Sequence, residues 1–99
     1  MKGAIMRHRI PAEIFPPGEY LREELESRGW TQSGLAERMR RPLRSINEII
    51  NGKKAITAET AIGLGDVFRT SAEYWLNLES AYRLFIARRL KRKVMRKVR

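Results

Sequence analysis

Residues 31–54, from Thr31 to Lys54, read TQSGLAERMRRPLRSINEIINGKK. Both halves have helical apolar spacing. Leu35, Ala36 and Met39 fall at i, i+1 and i+4, and Ile46, Ile49 and Ile50 at i, i+3 and i+4. Thr31 suits the start of the first helix, because its hydroxyl can accept from a backbone N–H that would otherwise have no partner. Asn51-Gly52 suits the end of the second, since either residue can take the left-handed conformation that stops a helix. Arg40, Arg41 and Pro42 leave room for a turn of about three residues, as two helices meeting at roughly a right angle require. Ala36 is the small residue where such a pair must touch, facing Ile46. The stretch predicts a helix-turn-helix.

A turn of about 100° per residue puts Arg44 and Glu48 nearly opposite Ile46, with Ser45 and Asn47 on the flanks and Asn51 returning to the exposed side. One face is thus bound to the domain while the other carries the chemistry of a base reader. Arg bonds guanine bidentately in the major groove, Glu accepts from cytosine N4, and Ser or Asn bonds several edges. Leu43 could meet a thymine methyl. The plainer reading is that Arg44 and Glu48 are an i,i+4 surface pair, contributing a few tenths of a kcal/mol. Arg41, Lys53 and Lys54 are candidates for phosphate contacts, which position a protein without reading sequence; solvated side chains are the alternative.

Longer strings carry a more specific resemblance. QSGLAERMRRPLRSINEIINGKKAIT, followed by SAEYWLNLESAYRL, resembles the HigA/VapI antitoxins within the lambda-repressor-like (XRE) helix-turn-helix superfamily. PPGEYLREELESRGW is similar to the first helix of that family, so the match covers about residues 16–86. The resemblance implies that Leu43, Arg44, Ser45 and Glu48 face bases and that Gln32 contacts phosphate. It also implies a homodimer formed through the C-terminal region, and a HigB-like toxin, a RelE-like ribonuclease, as partner. The module would repress its own operon from the bacterial cytoplasm, in association with the nucleoid. The family's turn usually has Gly, an apolar residue, then Ser or Thr; here stand Arg40, Arg41 and Pro42. Arg40 is therefore expected in a left-handed conformation at some cost, and Pro42 cannot cap through its side chain.

Composition bounds the alternatives. Ninety-nine residues suit one small domain, and 42% hydrophobic content suffices for a core. With no cysteine and His8 as the single histidine, disulfides, thiolate metal sites and Cys–His catalysis have no material, so no metal or cofactor is expected. No apolar run approaches the roughly 20 residues of a membrane span, nor does the start look like a signal peptide, so the chain should stay in a reducing cytosol. No nucleophile–base pair or phosphate-cradling Gly loop argues for an enzyme. The net charge of +10 is uneven: residues 88–99 (RRLKRKVMRKVR) hold 8 basic and no acidic side chains, and so supply +8 of it.

The remaining chain reads as an all-α fold of five helices, a lambda-repressor-like domain with an extended C-terminal helix and a basic tail. Residues 1–15 form an arm in which Ile5, Ile10, Ile14 and Phe15 could pack on the domain. Residues 16–87 form the domain, and 88–99 the tail. Tyr20, Leu21 and Leu25 give the first helix a buried stripe, and Gly29 ends it. Trp30 should pack beneath the start of the next helix. Thr57 caps a fourth helix with Ala58, Ala61, Ile62, Leu64 and Phe68 inward, while Gly63 and Gly65 permit close approach. Thr70-Ser71-Ala72-Glu73 reads as a capping box with Thr70 at the cap. In the fifth helix Trp75, Leu78, Tyr82 and Phe85 begin a stripe that Ile86 and Leu90 continue, either as core or as a dimer seam. The tail could bind phosphates, meet an acidic partner, or remain solvated. Three functions stay open: an autorepressing antitoxin, a stand-alone regulator of the same fold, and an interaction module that no longer reads DNA.

Overall fold

The computed structural model describes residues 14–98. Residues 1–13, including Ile5, His8 and Ile10 of the expected arm, lie outside that range, as does Arg99. Five α-helices account for the ordered elements, and no strand occurs among the described residues: α1 (Pro17–Arg28), α2 (Gln32–Met39), α3 (Leu43–Ile50), α4 (Ala58–Phe68) and α5 (Ala72–Val98).

Local chemistry sets most boundaries. Pro17 opens α1 at a position where its missing N–H forfeits no helical bond, and Gly29 closes it in the left-handed region (φ 69°). Gly18 is a packing requirement. A β-carbon there would lie 2.6 Å from the Ile49 carbonyl oxygen and closer still to that of Ile50, so the start of α1 rests directly on the end of α3. Thr31 Oγ1 accepts from Gly34 N at 2.9 Å, and Thr57 Oγ1 from Thr60 N at 3.3 Å, capping α2 and α4 as expected. After α3 it is Gly52 (φ 76°), not Asn51 (φ −87°), that turns left-handed.

The core comprises Leu21, Leu25, Leu35, Ala36, Ile46, Ile49, Ile50, Ile56, Ala61, Leu64, Phe68 and Trp75, so all five helices and the α3–α4 loop meet in one cluster. Gly65 lets α5 enter closely: a β-carbon would sit 2.8 Å from the Thr70 carbonyl oxygen.

Three expectations need correction. Ser71, not Thr70, caps α5, accepting from Tyr74 N at 3.0 Å, and Glu73 is one residue short of the reciprocal position. Thr70 is used otherwise: its Oγ1 accepts from Trp75 Nε1 at 2.9 Å. That bond lets the indole enter the core without stranding its N–H, and Trp75 is 0% exposed within a single chain. It cannot line a dimer seam. Trp30, just before the Thr31 cap of α2, stacks on Phe68 at the end of α4 (5.5 Å between ring centroids) and carries the Arg38 guanidinium 3.8 Å from its own centroid. On α4, Ala58 and Ile62 are exposed, leaving Ala61, Leu64 and Phe68 as the inward face.

Candidate nucleic-acid interface

The α2–α3 corner closes as a helix-turn-helix despite its unusual residues. Arg40 takes the left-handed conformation (φ 56°, ψ 46°), and its N–H donates to the Glu37 carbonyl at 3.1 Å. Arg41 N then donates to the Ala36 carbonyl at 3.0 Å, which completes the end of α2. Pro42 opens α3 with no side-chain cap, and its carbonyl accepts from Ser45 N at 3.0 Å. The turn therefore has the backbone a glycine would have given it, at the cost of a strained arginine.

Ile46, Ile49 and Ile50 anchor α3 in the core. Its opposite face presents Leu43, Arg44 and Asn47, all exposed, with Ser45 and Glu48 half-buried at the edges. Leu43 is 47% exposed beside the corner and shares a shallow depression there with Ser33, Glu37, Arg40 and Arg41. Arg44 Nε lies 3.1 Å from Glu48 Oε2, but the arginine side chain is 87% exposed against 29% for the glutamate. The pair holds Arg44 loosely, because so exposed an ion pair contributes little. The four residues expected to face bases thus occupy one contiguous surface.

The expected phosphate contacts are less uniform. Gln32 opens α2 and its Oε1 accepts from Asn47 Nδ2 at 3.2 Å, which joins it to the α3 face. Lys53 and Lys54 follow α3 directly, their backbone N–H groups donating to the Glu48 carbonyl at 2.8 and 3.2 Å. Lys54 Nζ also approaches Glu48 Oε1 at 3.9 Å. Arg41 differs: it turns toward α4 and pairs with Glu59 at 3.7 Å, its side chain 27% exposed. Asn47 is the residue that sequence reasoning underused. It donates to Gln32 and accepts from Asn51 Nδ2 at 3.1 Å, so three amides form a line along the exposed surface. The available signal was its spacing, one turn after Arg44 and one turn before Asn51.

Farther along, Ile56 N donates to Glu79 Oε1 at 2.9 Å. Glu79 is only 8% exposed and also accepts from Arg83 Nε. This buried carboxylate fixes the α3–α4 loop to α5. Of the expected dimer residues besides Trp75, Leu78, Tyr82 and Phe85 are half-buried within the single chain. Among the described residues no group of His, Cys, Asp or Glu is placed to hold a metal ion. No helix among the described residues is long and apolar enough to cross a membrane.

A polar, partly cationic helix held by its apolar face beside a capped partner helix defines a helix-turn-helix DNA-reading module. The helix-turn-helix family model matches residues 21–75, from the middle of α1 to the start of α5. Virulence-associated protein I of Dichelobacter nodosus is 39% identical over 89 residues, which cover 89% of this chain and 81% of that protein. Among solved structures, a HigA-family addiction module antidote protein from Coxiella burnetii is 37% identical with a TM-score of 0.77, over 84% of this chain and 91% of that one. Pseudomonas aeruginosa antitoxin HigA, solved with the higBA promoter, is 34% identical with a TM-score of 0.78 over the same shares, 84% and 91%. The chain belongs to the XRE-type helix-turn-helix family, in its HigA/VapI branch, a family of DNA-binding regulators and not of enzymes.

Proposed function

We propose that the protein is the antitoxin of a HigBA-type module, which binds its own operator through α3 and neutralises a RelE-like ribonuclease toxin. The observation that carries the DNA half is the exposed surface of Leu43, Arg44 and Asn47, edged by half-buried Ser45 and Glu48, on a helix whose other face is buried. The likeness to an antitoxin solved with its promoter supports the same reading. In this account Arg44 and Glu48 read base edges, Leu43 meets a thymine methyl, and Gln32, Lys53 and Lys54 touch phosphates. Arg41 is the weakest of that set, since a phosphate contact would have to draw it from Glu59. The protein works in the cytoplasm at the nucleoid as a homodimer, so that two α3 helices meet half-sites about one helical turn apart. Leu78, Tyr82 and Phe85 belong to the seam.

The toxin half rests on family likeness: the HigA name of the Coxiella and Pseudomonas relatives. A regulator without a toxin would share every feature of α3. Co-purification with the product of the neighbouring gene, followed by footprinting on their shared promoter, tests both halves. A stable complex with a small basic ribonuclease and a protected palindrome are expected. A protected palindrome with no co-purifying partner would reduce the protein to a stand-alone regulator.

A further inference from the structure

The last third of α5 behaves unlike the rest of the molecule. Helix α5 runs 27 residues without a break, about 40 Å at 1.5 Å per residue, against a long axis of 51 Å for the whole. Its first half is held to the body by Trp75, Leu78, Glu79 and Tyr82, all buried or half-buried, whereas every residue from Ala87 to Lys97 is exposed. Near the body the inward direction of the helix is occupied by Leu78, Tyr82, Phe85 and Ile86. At about 100° per residue the same direction is taken farther along by Arg89, Arg92, Lys93 and Arg96. The face that begins as packing surface ends as cation.

These charges lack answering acids. In the body Arg28, Arg41, Arg44, Lys54 and Arg83 each lie within ion-pair reach of a carboxylate. Residues 88–97 carry Arg88, Arg89, Lys91, Arg92, Lys93, Arg96 and Lys97 with no acid in the segment, and none of the seven is ion-paired among the described residues. The segment also continues the stretch of α5 that meets the loop after α3. One cleft gathers Asn51, Gly52 and Lys54 from the loop after α3 with Glu79, Tyr82 and Arg83 of α5. The next groove along α5 is lined by Phe85, Ile86, Arg89, Leu90, Arg92, Lys93 and Arg96. Lys54 and the cationic overhang therefore belong to adjoining stretches of surface.

From this we infer that residues 88–97 are a second, sequence-independent nucleic-acid-binding element, gripping duplex phosphates beyond those contacted around α3. A polyanion matches seven unanswered cations, whereas a second copy of the segment laid beside the first would repel it. An anionic membrane fits less well: Leu90, Val94 and Met95 are exposed on one side of the helix, but Lys91 interrupts that side and six further cations flank it. The inference rests on the operator-reading assignment of α3 only for where along the duplex the phosphates lie.

The test is a salt titration of the full chain and of the quadruple variant R89Q/R92Q/K93Q/R96Q, on a promoter duplex and on a shuffled duplex. Glutamine keeps helix propensity close to that of Arg and Lys, so helicity by circular dichroism should hold. A chain ending at Ala87 serves as the second variant. Each phosphate neutralised adds about 0.9 to the slope of log affinity against log salt, so two lost contacts lower it by about 1.8. The expected result is that drop on both duplexes for both variants, with the preference for promoter DNA unchanged. If the parent chain itself fails to prefer promoter DNA while the slope still falls, the second element stands and the operator assignment fails. Superimposable slopes overturn the inference, and they do so whether or not the overhang proves to bind vesicles containing phosphatidylserine.

Discussion

Asn47 donates to Gln32 across the corner of the motif, Nδ2 to Oε1 at 3.2 Å, and so ties the first residue of α2 to the exposed face of α3. The bond spans 15 residues of sequence and is exposed. Under the proposed readout it would hold a phosphate-contacting amide in register with the base-facing side chains. Because it is exposed, its net contribution is at the lower end of the range for hydrogen bonds, about 0.5 kcal/mol.

A double-mutant cycle measures that coupling directly. Gln32→Ala and Asn47→Ala should each weaken promoter binding. Together they should fall short of additivity by about 0.5 kcal/mol, since either one alone already breaks the pair. Strict additivity would mean that the two amides act on DNA independently.

Glu79 should be a positioning residue for the basic loop. Its carboxylate is nearly buried and receives Ile56 N–H, so Glu79→Ala leaves that donor without its partner at a cost of about 1–3 kcal/mol. Glu79→Gln retains an acceptor and should restore most of the stability. Promoter affinity measured below the melting transition should fall for the alanine variant and recover for glutamine. Equal behaviour of the two variants would contradict the role.

Arg40 is strained by its left-handed backbone. Replacing it with glycine removes about 1–2 kcal/mol of strain but adds roughly 0.4–1 kcal/mol of unfolded-state entropy. Arg40→Gly should therefore stabilise the chain slightly, raising the melting temperature by a few degrees. A lower melting temperature would show that the side chain contributes more than its backbone costs.

Trp75 and Phe85 separate folding from assembly. Trp75→Ala removes a fully buried indole and should cost about 3–5 kcal/mol, enough to unfold a marginal domain. Phe85→Ala should leave the fold intact and weaken self-association, read by sedimentation velocity. A folded Trp75 variant, or an unchanged dimer with Phe85→Ala, would contradict this division.

The motif was legible because its signals were local. Thr31, Gly29, Thr57 and the three isoleucines of α3 each act within a turn or two, so sequence spacing was enough. The misreadings came where tertiary contacts chose between equivalent local options. Thr70 and Ser71 could both cap α5, and the choice fell to Ser71 because the Trp75 indole claimed the Thr70 hydroxyl. Trp75 looked like surplus aromatic surface because periodicity cannot tell a core face from a seam. Arg41 looked like any loop cation, since its partner Glu59 lies in another helix. The line of Gln32, Asn47 and Asn51 needed the crossing of α2 and α3 to be seen.

Direct readout by Arg44 is the central claim, and one comparison tests it. Arg44 stands 87% exposed on the face of α3 opposite Ile46, paired with Glu48. Binding of the parent chain and of Arg44→Ala should be measured on the promoter duplex, on a set of its single-base variants, and on shuffled DNA. Direct readout predicts a loss of about 1–3 kcal/mol on the promoter, much less on shuffled DNA, and a relaxed preference at one base pair of each half-site. An equal loss on promoter and shuffled DNA, with every base preference retained, would contradict it.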